Sequence, residues 1–132
     1  MRIVTGRKIT EMDAETFADY QKSYSNVTID LGTGDGRFVH RSAKEEPETL
    51  WIGIDPAVQG LRESSHKASR KPKRGGTPNA LFVAASIEQL PEELLGCADR
   101  IFVNYPWGSL LAAFVVPYPE ELYHLSLLAK PG

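Results

Sequence analysis

The sequence predicts an open, mostly parallel α/β sheet with right-handed crossovers and a short N-terminal β-ribbon. Two observations carry the prediction. Compact β-branched runs alternate with stretches of helical periodicity, and the first strong run ends in a glycine-rich turn that opens a helix. A length of 132 residues, 42% of them hydrophobic, suffices for one core and is too short for two ordinary domains, so 1–132 is expected to be a single domain.

Each element has its own signal. Ile3, Val4 and Ile9 flank a Thr5-Gly6-Arg7 turn and read as the ribbon. Asp13 is placed to cap a helix carrying Ala14, Phe17, Ala18 and Tyr20. The run 27–31 ends in Gly32-Thr33-Gly34-Asp35-Gly36, and Phe38, Val39 and Ala43 then repeat at helical spacing until Pro47. Residues 50–55 form a second buried run, which makes the two strands parallel neighbours. A helix is expected over 58–69, a basic loop over 70–79, a third strand over 80–85 and a short helix over 90–95. A fourth strand over 100–104 leads into Tyr105-Pro106-Trp107-Gly108, and 110–129 is helical material interrupted by Pro117 and Pro119. Lys130-Pro131-Gly132 reads as a helix-terminating turn after which another strand would cover the sheet edge, so the expectation is the N-terminal part of a larger sheet.

Composition excludes several classes. Fifteen Lys plus Arg against seventeen Asp plus Glu give a net charge of −2, so a nucleic-acid partner has to be argued from a local patch. A single cysteine, Cys97, leaves no internal disulfide and no Cys-rich zinc site, and fits the cytoplasm. No apolar run approaches the roughly 20 residues of a membrane-spanning helix, and the N-terminus lacks the apolar stretch of a signal peptide. His40, His66 and His124 are isolated in sequence, and no metal site is readable.

A parallel sheet of this kind binds its ligand beyond the C-terminal ends of its strands, where the first loop meets a helix N-terminus. Gly32, Gly34 and Gly36 let that loop lie close against a ligand. The spacing is G-x-G-x-G, and Arg37 stands where a dinucleotide fingerprint wants its last glycine, which disfavours NAD. Asp30, at the end of the first strand, suits a cationic or amino group, as S-adenosylmethionine (SAM) presents. Asp55, at the end of the second strand, can accept both hydroxyls of a ribose. In the segment after the third strand, Ile87 can cover an adenine face. Asp35 can equally be a helix cap, and Trp51 reads as core. Asn104, Tyr105, Pro106 and Trp107 lie where a flat base would stack beside the transferred group, with packing as the alternative for the two aromatic side chains. Lys67, Arg70, Lys71, Lys73 and Arg74 crowd cations enough for several phosphates, or form a merely solvated loop.

Taken together, four strings resemble the aminoglycoside-resistance 16S rRNA methyltransferases of the KamB and NpmA type. They are Ile29-Asp30-Leu31-Gly32-Thr33-Gly34-Asp35-Gly36-Arg37, Ile52-Gly53-Ile54-Asp55-Pro56, the Lys-Pro-Lys-Arg-Gly-Gly linker at 71–76, and Pro106-Trp107-Gly108-Ser109-Leu110-Leu111. The resemblance implies a Rossmann-like class I SAM-dependent fold, and methylation at N1 of one adenine in the decoding site of 16S rRNA within the 30S subunit. The outcome would be resistance to kanamycin- and apramycin-like drugs. It also implies that Asp30, Gly32 and Asp55 hold SAM together with Gly34, Asp35, Arg37 and Asn104, that Ile87 and Glu88 lie near the adenine, and that Ser109 sits beside the methionine moiety. Trp107 would stack on the flipped base, framed by Tyr105 and Pro106, and Lys67, Arg70, Lys71, Lys73 and Arg74 would grip the rRNA. Tyr105 stands where a phenylalanine is expected, and family members continue through further strands to a second stacking tryptophan. Three alternatives remain: a tRNA guanine-N7 methyltransferase, an exocyclic-amine methyltransferase, and a non-catalytic SAM-fold or RNA-binding subunit.

Overall fold

Strand β3 (Asn26–Leu31) is buried along almost its whole length, because both faces of the sheet around it are covered. The computed structural model describes residues 1–103 and 126–131. Before β3 come β1 (Arg2–Thr5), β2 (Lys8–Glu11) and helix α1 (Ala14–Gln21), whose first turn is capped by the Asp13 carboxylate accepting from Thr16 N. After it come α2 (Arg37–Glu45), β4 (Thr49–Asp55), α3 (Arg62–Ala68), β5 (Ala80–Ala84) and β6 (Arg100–Phe102). The sheet order is β2-β1-β5-β4-β3-β6. Strands β5, β4, β3 and β6 are mutually parallel, while β1 runs antiparallel to β5 with Ile3 opposite Val83. The expected ribbon is therefore built into the sheet as its edge. The chain steps outward from β3 to β4 to β5, then returns to the other flank of β3 as β6, so a topological switch point lies beside β3.

Strand alternation sends two side-chain sets to opposite faces. Val27, Ile29, Leu31, Ile52, Ile54 and Val83 pack with Phe17 of α1 and with Leu94. On the other face Trp51, Phe82, Ala80 and Ala84 pack with Val39 and Ala43 of α2 and Ala68 of α3. Trp51 is core, as expected. It stacks on Phe102 with ring centroids 5.8 Å apart, and its indole N–H donates to Glu46 Oε2 at 3.1 Å. Arg100 reaches the same carboxylate at 2.8 Å and lies 5.5 Å from the Trp51 ring centroid. Cys97 is buried in the first core, and desolvation pushes its thiol up to about 11.

Three expected elements are shorter. The helix over 58–69 begins as a 3-10 turn, Val58–Leu61, and becomes α-helical only at Arg62. Its Gly60 passes the glycine loop so closely that a Cβ would stand 3.3 Å from Gly34 O. The helix over 90–95 is reduced to the 3-10 turn Glu92–Leu94, and a separate 3-10 turn, Ile87–Gln89, precedes it, with Pro91 between them unable to donate a helical hydrogen bond. The fourth strand is observed as Arg100–Phe102, and Asn104 lies outside the described residues. Of the helical stretch expected over 110–129, the part before Ser126 is likewise outside them, as is His124.

One side chain locks α2 to the sheet. Asn79 Nδ2 lies 2.9 Å from Ala43 O, 3.0 Å from Glu46 O and 2.9 Å from Thr49 O, so it serves carbonyls at the end of α2 and the start of β4. Asn79→Ala would leave buried carbonyls without that donor and should lower stability by about 2 kcal/mol. Urea unfolding checks this, and an unchanged midpoint would mean that water replaces the amide.

Candidate functional site

The glycine loop, residues 32–36, is tied to the end of β4 before it is tied to anything else. Gly32 N and Thr33 N both donate to Ile54 O, at 2.8 and 3.0 Å. Gly34 N donates to Asp55 Oδ2 at 3.0 Å, Ala57 N donates to Asp55 Oδ1 at 2.8 Å, and Ala85 N donates to the Asp55 carbonyl at 3.3 Å. Asp55 thus joins the loops that follow β3, β4 and β5. Each carboxylate oxygen has one backbone partner and keeps a second acceptor site, which is the capacity needed for the two hydroxyls of a ribose.

The loop's shape depends on two glycines in particular. Gly34 has φ 64° and open space where a Cβ would stand, so its backbone is bare on that side. Gly36 has φ 78° and immediately precedes α2; a Cβ there would stand 2.6 Å from Phe82 Cε1. Thr33 Oγ1 is buried beneath the loop and has no hydrogen-bond partner among the described residues. The open face at Gly34 and the half-used carboxylate of Asp55 fit a nucleoside-bearing cofactor such as SAM.

Other expected site residues fall in distinct places. Asp30 is fully buried in β3, in register with Gly53 and Phe102, so it underlies the loop. Asp35 accepts from Arg37 N at 3.0 Å and pairs with Arg37 Nε at 2.7 Å on the exposed rim; the N-cap of α2 is Gly36, not Asp35. Ile87 is 4% exposed within the first core, whereas Glu88 beside it is exposed. Asn104, Tyr105, Pro106, Trp107 and Ser109 lie outside the described residues.

The basic segment is more ordered than a loop. Residues Pro72–Arg74 form a 3-10 turn, and the chain doubles back so tightly that a Cβ on Gly76 would stand 1.6 Å from Arg70 O. Arg70, Lys71, Lys73 and Arg74 are exposed on or beside this turn, while Lys67 pairs with Glu63 at 3.0 Å. Burial, with Lys44, Lys67 and Arg70 nearby, holds His40 below the usual histidine value, and its Nδ1 contacts Thr77 Oγ1 at 3.1 Å. The sequence reading missed Gly60 and the bracing role of Asp55; a glycine inside a helical pattern was the available signal for the first.

The switch point, the glycine loop and the acid closing β4 place the fold among the Rossmann-like, class I SAM-dependent methyltransferases. The crystal structure of the antibiotic-resistance methyltransferase Kmr matches with a TM-score of 0.96 and 48% identity, over 100% of this chain and 68% of that one. A 16S rRNA (adenine(1408)-N(1))-methyltransferase variant from Catenulisporales acidiphilia, crystallised with cosubstrate SAM, matches with a TM-score of 0.95 and 40% identity, over 100% of this chain and 59% of that one. The Escherichia coli 16S rRNA (adenine(1408)-N(1))-methyltransferase is 38% identical over 130 residues, covering 98% of this chain and 59% of that protein. The family profile for NpmA, 16S rRNA (adenine(1408)-N(1))-methyltransferase, matches residues 2–132, and the chain belongs to this family. It spans about three fifths of the length of the curated relatives it matches.

Proposed function

We propose that the protein methylates N1 of adenine 1408 in 16S rRNA of the 30S subunit, with SAM as methyl donor, in the cytoplasm, and thereby confers resistance to kanamycin- and apramycin-type aminoglycosides. The observation that carries this reading is the junction at Asp55, which fixes three strand-end loops around a bare glycine backbone. Residues 1–132 act in this reading as one SAM-binding domain. Asp55 accepts the ribose hydroxyls, the 32–36 loop lies against the methionine side, and Asp30 supports that loop from beneath. The segment with Ile87 and Glu88 borders the adenine, Ser109 and Asn104 complete the pocket, and Trp107 with Tyr105 and Pro106 holds the flipped target base. Arg70, Lys71, Lys73 and Arg74 grip phosphates.

When bound, SAM supplies an electrophilic methyl group on a sulfonium whose sulfur takes up the electron pair of the broken C–S bond. Adenine N1 carries an in-plane lone pair and no proton, so no side chain is asked to act as a general base. The residues position the reactants, and alignment lowers the barrier.

Reverse transcription on 30S subunits after incubation with the protein and SAM tests the proposal. Methylation at N1 blocks Watson–Crick pairing, so a SAM-dependent stop is expected at adenine 1408. Methyl transfer into tRNA guanine without that stop would overturn the assignment in favour of a guanine-N7 enzyme. Saturable SAM binding without transfer to any RNA would instead identify a cofactor-binding unit lacking its own catalysis.

A further inference from the structure

The turn between β1 and β2 is fastened to α3. Gly6 N donates to Ser65 Oγ in a buried hydrogen bond of 2.8 Å, and a Cβ on Gly6 would stand 3.5 Å from both His66 Cβ and Nδ1. Because β1 runs antiparallel to β5, this turn stands at the N-terminal end of the parallel strands, opposite the end that carries Asp55. Between turn and helix lies a groove of about 750 Å³ whose walls include Arg7, Lys8, Arg62, Glu63, His66 and Ser69. Arg7, Lys8 and Arg62 are exposed, and none of the three is in an ion pair among the described residues. The acid on the wall, Glu63, is held by Lys67 Nζ at 3.0 Å, so it subtracts little from the positive field. Ser69 closes α3, and the chain continues directly into Arg70 and the basic 3-10 turn.

We propose that this groove seats a stretch of rRNA phosphodiester backbone, extending the grip of the 70–74 turn onto the ribbon side of the molecule; the inference rests on the 16S rRNA reading above. Three cations without intramolecular partners converge on a concave wall held in shape by the Gly6–Ser65 bond. Phosphates suit it because their recognition needs charge at fixed spacing and no base-edge readout. The groove adds affinity and orientation, and no chemistry.

The test is binding of the 132-residue protein to 30S subunits across a salt series, for the unmodified protein and for Arg7→Ala/Lys8→Ala/Arg62→Ala. The slope of log K against log salt should fall in magnitude by about 2 to 3, and affinity should drop on the order of tenfold or more. SAM binding and circular dichroism should be unchanged. Arg7→Lys/Arg62→Lys keeps the charge and should keep the slope, which separates charge from folding. Lys22→Ala removes an exposed lysine at the end of α1 and serves as the comparison; an equal loss there would overturn the groove. An unchanged slope in the triple variant, with the adenine stop intact in the unmodified protein, overturns the groove and leaves the proposed function standing. No binding of 30S subunits by the unmodified protein overturns both.

Discussion

Asp55→Ala should weaken SAM binding roughly 100-fold, about 3 kcal/mol, when the protein is titrated calorimetrically. The effect has two sources. The ribose loses both of its acceptors, and Gly34 N and Ala57 N lose the carboxylate that sets the loop. Asp55→Asn separates them. An amide offers one accepting oxygen, so either Gly34 N or Ala57 N would face a donor, and roughly tenfold weakening is expected. Because both backbone bonds lie at the solvent-exposed rim, far-UV circular dichroism should still report a folded sheet for both variants. Unaltered affinity in Asp55→Ala would remove Asp55 from the cofactor site and leave it a purely structural brace.

Trp107→Ala should lower methyl transfer to 30S subunits on the order of 100-fold or more while leaving SAM affinity nearly intact. Extracting a base from its stack costs a few kcal/mol, and an aromatic platform returns much of that in the reactive state. The two variants therefore divide binding from transfer. Equal loss of both functions in Trp107→Ala would make Trp107 a packing residue, and the flipped base would need another platform.

The loop between β3 and α2 was legible because its glycines break both periodicities between two unmistakable apolar runs. Strands β3, β4 and β5 were legible for the same reason: buried parallel strands are continuous runs of Val, Ile and Leu. The ribbon was legible as a ribbon, but its union with β5 rests on Ile3 meeting Val83, and nothing local records a partner about 80 positions away. The late start of α3 was hidden because the choice between a 3-10 turn and an α-helix start over 58–61 leaves the helical spacing of apolar residues unchanged, and the nearness of Gly60 to the Gly34 carbonyl is set in space and not in sequence. At the site, the expectation that Asp55 accepts a ribose came from its place at the end of the second apolar run. Its second duty, bonding Gly34 and Ala57, depends on where two loops converge in space. The tight fold-back at Gly76 was read only as a Gly-Gly in a basic loop, since composition carries no record of the close Arg70 carbonyl.

The burial of Cys97 has a practical side. With the thiol enclosed and its ionisation pushed up to about 11, maleimides and methanethiosulfonates at neutral pH find almost no thiolate to attack. The molecule is in effect cysteine-free for labelling without any substitution. A fluorophore or spin label placed through one introduced cysteine, at Lys8 on the ribbon or Lys73 on the basic turn, would report from that position alone. Docking onto a ribosomal subunit could then be followed through the emission or mobility of that one label, on the native background of the chain.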